Sequence, residues 1–164
     1  YGENDRIQKF APDGTFVAAW GRFGEKDGEF RRPSGIEMGP DGDLYVADAV
    51  NHRIQVFDTS GKLLRIVGGE GTGPGEFRYP YDVCVTSNAM YVLEYGNQRV
   101  QKLALDGKCL ATAGKPGRDE GCFANPWRCA MVGDTLYVSD TDNNRVVTVR
   151  KWGNVERGES DVGR

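Results

Sequence analysis

Four arginines and a set of aromatic residues are the part of this 164-residue sequence best suited to chemistry with a partner molecule. Arg31, Arg32, Arg78 and Arg128 stand beside Tyr79, Tyr81 and Trp127, with Tyr95 and the single histidine, His52, further along. Guanidinium groups offer planar forks of N–H donors to carboxylates and phosphates, and aromatic faces stack on bases, rings or apolar side chains. Such a set recognises; it does not by itself break bonds. One histidine cannot build a three-histidine zinc site, and the four cysteines show no C-x-x-C spacing. Cys84 and Cys129 lie in apolar runs and read as small buried hydrophobes, while Cys109–Cys122 is the pairing considered for a bridge. The run Asp140-Thr141-Asp142-Asn143-Asn144 has carboxylates at alternate positions, but a calcium loop needs a Gly at its sixth position and a Glu at its twelfth. Arg145 and Lys151 stand there, so the run reads as a turn. No metal site and no cofactor are expected.

A second set of charges is periodic. The motif Asn-x-Arg-[Ile/Val] occurs four times, with arginines at Arg6, Arg53, Arg99 and Arg145 spaced by 47, 46 and 46 residues. Five residues before the last three stand Asp48, Glu94 and Asp140. Recurrence in a fixed register points to structure: a buried carboxylate–guanidinium pair, bidentate where the planar fork allows, with the motif Asn holding the turn.

The elements that must position these residues follow from the same period. Gly-x-x-x-Gly-x-Phe-x-x-Pro runs Gly24–Pro33, Gly71–Pro80 and Gly117–Pro126, and Tyr-Val returns at Tyr45, Tyr91 and Tyr137. Within one copy, the run from Val100 to Leu105 alternates apolar and polar, as a half-buried strand does. Asp106-Gly107 marks a hairpin. Each copy reads as four short strands, a to d, with no helical pattern. Sheets of this kind bury both faces when stacked radially, which makes the fold all-β and a β-propeller.

The pattern Gly28-Glu29-Phe30-Arg31-Arg32-Pro33, then Leu44–Asp48, then Asn51–Phe57 resembles the NHL repeat. That resemblance implies a propeller, commonly six-bladed, and does not imply one function. The copies count as a partial blade over 1–20, blades over 34–67 and 81–113, and a partial blade over 127–157, with a partial outer strand around Trp152–Glu156. This is about half of a six-bladed ring. The expectation is either a piece of a longer propeller or a half that completes itself by oligomerising through its open blade edges.

In such a propeller the d–a and b–c loops share the face around the central channel. Arg31, Arg32 and Ser34, Arg78, Tyr79 and Tyr81, and Asn125, Trp127 and Arg128 would collect there, joined by His52, Tyr95 and Asp142. Ser34, Tyr81 and Trp127 occupy one repeat position that varies while the skeleton stays fixed. The resemblance also covers a zinc-dependent lyase, metal-dependent lactonases, for which Glu37, Asp82 and Asn125 could contribute ligands, and propellers that read single-stranded RNA. The leading expectation is a non-catalytic binding or assembly module for a protein, peptide or carbohydrate, self-association included. Single-stranded RNA is the first alternative, disfavoured by the net charge of −3 and by Glu25, Asp27, Glu29, Glu76, Asp119 and Glu120 in the same loops, and a fragment of a metal-dependent propeller lyase or lactonase is the second. No apolar run reaches the length needed to cross a bilayer, so no membrane insertion is expected. The chain begins at Tyr1, as an exported mature chain or a trimmed domain does, and no compartment is read from it.

Overall fold

The computed structural model describes residues 4–152 and 154–157. A two-stranded sheet, β1 (Ile7–Phe10) and β2 (Phe16–Trp20), comes first. Three four-stranded antiparallel meanders follow. They are β3 (Pro33–Met38), β4 (Leu44–Asp48), β5 (Arg53–Phe57) and β6 (Leu63–Val67); then β7 (Pro80–Val85), β8 (Met90–Glu94), β9 (Arg99–Leu103) and β10 (Cys109–Ala113); then β11 (Pro126–Val132), β12 (Thr135–Asp140), β13 (Arg145–Lys151) and β14 (Asn154–Arg157). Strands pair in chain order, the sheet form of the four-strand repeat. Helical geometry is limited, among the described residues, to single 3-10 turns at Ala49–Asn51 and Thr141–Asn143. Each inner strand begins at its proline, one residue before the blade limits read from the sequence.

Blades bury each other. Alternate residues of β8 show why both faces are apolar. Met90 and Val92 pack toward the preceding blade with Tyr45, Ile54 and Val56, whereas Tyr91 and Leu93 pack toward the following one with Leu136, Val138 and Val149. A third cluster joins the first two sheets through Ile7, Trp20, Phe30, Val46 and Phe57. The period-2 alternation thus serves two cores at once.

The d–a loops fold back on the sheet ends around a repeated Gly–Phe contact. Phe30, Phe77 and Phe123 are fully buried. Their rings lie against Gly21, Gly68 and Gly114, each in the left-handed region (φ +87, +86 and +92°). A Cβ at Gly68 would fall inside the Phe77 ring's van der Waals envelope. Glycine is required there twice over, by backbone angle and by space. Beside β1 and β2 the molecule keeps an apolar cleft of about 280 Å³, lined by Ile7, Phe10, Trp20, Ile36, Met38 and Leu44.

Candidate functional site

One face of the molecule is built by a repeated polar latch. Asp48 is fully buried at the end of β4. Its Oδ1 accepts the Arg31 amide (2.8 Å), and its Oδ2 accepts from Asn51 Nδ2 (2.9 Å), Arg53 Nε (2.8 Å) and Gln55 Nε2 (3.0 Å). Glu94 repeats the pattern with the Arg78 amide (3.0 Å), Asn97 (2.6 Å), Arg99 Nε (2.6 Å) and Gln101 (2.9 Å). Asp140 does so with the Ala124 amide (2.6 Å), Asn143 (2.7 Å) and Arg145 Nε (2.7 Å); Val147 replaces the glutamine. The guanidinium meets its carboxylate through Nε alone, not bidentately as its planar fork suggested. Its terminal nitrogens are taken by loop carbonyls: Lys26 and Glu29 for Arg53, and Thr72, Gly73 and Glu76 for Arg99. The latch therefore nails each d–a loop onto the b–c turn of its own blade. Backbone bonds reinforce it, from the Val50 amide to Arg31 O, Gly96 to Arg78 O and Asp142 to Ala124 O. The d–a and b–c loops consequently lie on one face.

The candidate rim residues meet on that face. Tyr81 stacks on Tyr95 with ring centroids 4.7 Å apart, and Trp127 meets them edge-on at 5.1 and 6.2 Å. The Arg32 guanidinium lies over the Tyr81 ring at 5.4 Å. His52 packs against Tyr79 at 4.6 Å and accepts the Tyr79 amide on Nδ1 (3.1 Å). Each of these last contacts crosses from the β3–β6 blade to the β7–β10 blade, and the Trp127 contacts continue into the next. The aromatic strip thus spans three blades. Tyr81 is buried, while Trp127 is 44% and Tyr79 38% exposed. Ser34 is turned inward instead, donating its hydroxyl to Tyr81 O (2.8 Å).

Two backbone features that no sequence signal announces shape the strip. Pro80 pairs with Glu94 and Asp82 with Leu93, so Tyr81 is an extra residue in its strand. Trp127 is likewise extra between Pro126, paired with Asp140, and Arg128, paired with Ser139. The first blade has its irregularity at the same place, between Pro33 and Ile36. Such bulges re-aim a side chain. The residues just before the prolines, Arg32, Tyr79 and Asn125, all have positive φ (59, 50 and 50°). Their recurrence marks a loop geometry shared by the three blades.

The rim's charges divide into engaged and free. Arg31 pairs with Glu25, and Glu29 pairs with Arg22 (2.8 Å) and accepts the Lys26 amide. Glu76 accepts the Gly73 amide. Among the described residues, Arg32 and Arg78 hold no ion pair, and Arg128 makes only long contacts, to Asp82 (3.5 Å) and to the Ser34 carbonyl (3.4 Å).

Below the rim, Asp82 stitches neighbouring inner strands. Its Oδ2 accepts the Cys129 amide (2.9 Å). Burial pushes its carboxyl above the usual 3.8, only partly offset by that amide and by Arg128. Glu37 is also raised, by burial first and then by the Asp82 charge. The folded chain therefore holds the Asp82 proton to higher pH than the unfolded chain does. This contribution favours folding below about pH 3.8 and is lost as pH rises through the raised folded value. Asp82→Asn keeps an oxygen for the Cys129 amide and removes the titration. Its melting temperature should gain on the wild type's as pH rises above about 3.8, and a wild type that gains instead would contradict the assignment.

Asn125 donates to Asp142 rather than joining Glu37 and Asp82, and Asp140 and Asn143 are taken up by the latch. Among the described residues no group of three or more His, Cys, Asp or Glu could hold a metal ion. Cys109, at the start of β10, and Cys122, in the loop beyond its end, are free thiols; Cys122 approaches the Glu120 carbonyl. Cys84 is buried and Cys129 half-buried, and the two face each other. No helix among the described residues is long and apolar enough to cross a membrane.

Known proteins resemble this chain in two ways. The NHL repeat family model matches residues 30–57, which run from the Phe30 anchor through the Arg53 latch. Protein brain tumor of Drosophila melanogaster is 39% identical over 70 residues, covering 43% of this chain and 7% of that protein. Peptidyl-glycine alpha-amidating monooxygenase A of Xenopus laevis is 44% identical over 59 residues, covering 33% of this chain and 6% of that protein. The chain thus spans a small part of the length of these relatives. In structure, it superimposes on a catalytically inactive virginiamycin B lyase from Staphylococcus aureus with a TM-score of 0.70. That match has 18% identity and covers 97% of this chain and 50% of the other, a likeness of fold. Residues 30–57 thus carry an NHL repeat, and the chain has a β-propeller fold.

Proposed function

We propose that this chain is a non-catalytic binding module whose loop face engages an extended, acidic peptide segment of a protein partner. The observation that carries the reading is the bulge at Tyr81 and Trp127. It gathers an aromatic strip across three blades and leaves Trp127 and Tyr79 exposed beside Arg32, Arg78 and Arg128. Exposed aromatic and arginine residues on a rigid scaffold are the side chains most enriched at binding hot spots. The net charge of −3 does not oppose this, because several loop carboxylates are engaged by their own loops, leaving the rim arginines to attract an acidic partner.

Selection of random peptides on the immobilised chain tests the proposal. Recovered peptides should be enriched in Asp and Glu around an apolar or aromatic anchor. Trp127→Ala should weaken their binding at least tenfold, about 1.4 kcal/mol or more, in a chain that still unfolds cooperatively. Leu110→Ala, at an exposed position on the outer strand β10, should bind as wild type does. Peptides without charge preference, or binding insensitive to Trp127, would refute the reading. A single-stranded RNA oligonucleotide retained more tightly than any acidic peptide, with steep salt dependence, would instead assign the face to RNA.

A further inference from the structure

The inner strands of two neighbouring blades bring a pair of thiols together. Cys84 Sγ in β7 and Cys129 Sγ in β11 lie 3.3 Å apart. A disulfide needs about 2.05 Å between sulfurs, so closure asks for little more than 1 Å of side-chain movement. The backbones are already held in place, since the Cys129 amide is bonded to Asp82 on β7, two residues before Cys84. On the other side of β7, Ser34 donates to Tyr81 O, which fixes the strand against β3.

We propose that Cys84 and Cys129 form a modification site, closed to an inter-blade disulfide by exchange with a low-molecular-weight disulfide such as oxidised glutathione. The half-buried Cys129 is the sulfur that the oxidant reaches, and Cys84, 2% exposed, resolves the intermediate. The Cys129 thiolate attacks one sulfur of the oxidant and expels the other half as a thiol. Cys84 then attacks Cys129 Sγ in the mixed disulfide and expels the second half. Two protein thiols lose two electrons and two protons, and the oxidant's S–S bond becomes two thiols. The hydrogen bond to Cys84, then burial, then the Asp82 and Glu37 charges push the Cys129 thiol well above its usual value. Closure of the folded chain is therefore slow, since the thiolate is the attacking species. Both cysteines follow the rim by a few residues, Cys84 three after Tyr81 and Cys129 two after Trp127. The bridge would lock the spacing of those rings, whatever the rim binds.

The test is a peptide map of the chain after equilibration in glutathione buffers of graded oxidation, with free thiols alkylated under denaturing conditions. The expected result is a cross-linked peptide pair containing Cys84 and Cys129, with Cys109 and Cys122 alkylated. Melting temperature should rise on the order of 5–15 °C in the oxidised form, because the bridge closes a long loop. Cys84→Ala should abolish both the cross-link and the shift. Four alkylated cysteines at full oxidation, or bridges made mainly through Cys109 or Cys122, would overturn the proposal. The wild-type map decides alone if the variant does not fold.

Discussion

Arg99→Ala is expected to cost about 3–5 kcal/mol of folding stability, the loss typical when one partner of a buried pair is removed. Glu94 is fully buried, and its carboxylate is met by four donors of which Arg99 supplies the charged one. Without it a buried negative charge remains, with only neutral amides around it. The same substitution strips donors from the carbonyls of Thr72, Gly73 and Glu76, so the d–a loop loses its anchor as well. Arg99→Lys should recover only part of the loss, because an ammonium cannot reach the carboxylate and three carbonyls in the geometry of a planar fork. Denaturant titration of the three proteins measures this. An Arg99→Ala chain with wild-type stability would remove the latch from the account of how the loop face is held.

Gly68→Ala should destabilise by about 2–4 kcal/mol, combining the cost of a left-handed non-glycine residue with that of overpacking. The angle contributes because φ is +86°, and the packing contributes because the new methyl collides with the buried Phe77 ring. The two contributions separate in a double-mutant cycle with Phe77→Leu, a smaller and more pliable side chain. The pair should be less destabilised than the sum of the single changes, since shrinking residue 77 relieves the collision but not the angle. Strict additivity would place the whole effect in the backbone. Gly14, with φ +87° and nothing within 4 Å of its Cβ position, provides the control: Gly14→Ala should show the angle cost alone.

Much of this architecture can be read from the sequence because each position is written several times. Arg53, Arg99 and Arg145 share a register with Asp48, Glu94 and Asp140, and the shared register survives changes of neighbour. That is why the latch and the four-strand unit are both legible without coordinates.

What is not legible depends on register between strands and contact between blades. The bulge at Tyr81 exists only relative to Glu94 and Leu93 across the sheet, and a single strand carries no mark of it. His52 and Tyr79 are 27 residues apart and in different blades, so no local pattern joins them. The cysteine pair is similar. Cys84 and Cys129 are 45 residues apart and occupy different repeat positions, yet the contact between neighbouring blades brings their sulfurs to 3.3 Å. The single-nitrogen contact of each arginine depends on loop carbonyls competing for the rest of the fork. Residue type alone does not rank those acceptors.

Backbone hydrogen exchange with and without a selected acidic peptide locates the binding face. Saturating peptide should slow exchange in the loops around 31–34, 78–82 and 125–128 and in the turns around His52 and Tyr95, leaving the outer strands β6 and β10 unchanged. Protection confined to those outer strands, or to the apolar cleft beside β1, would contradict the account and move the binding site off the rim.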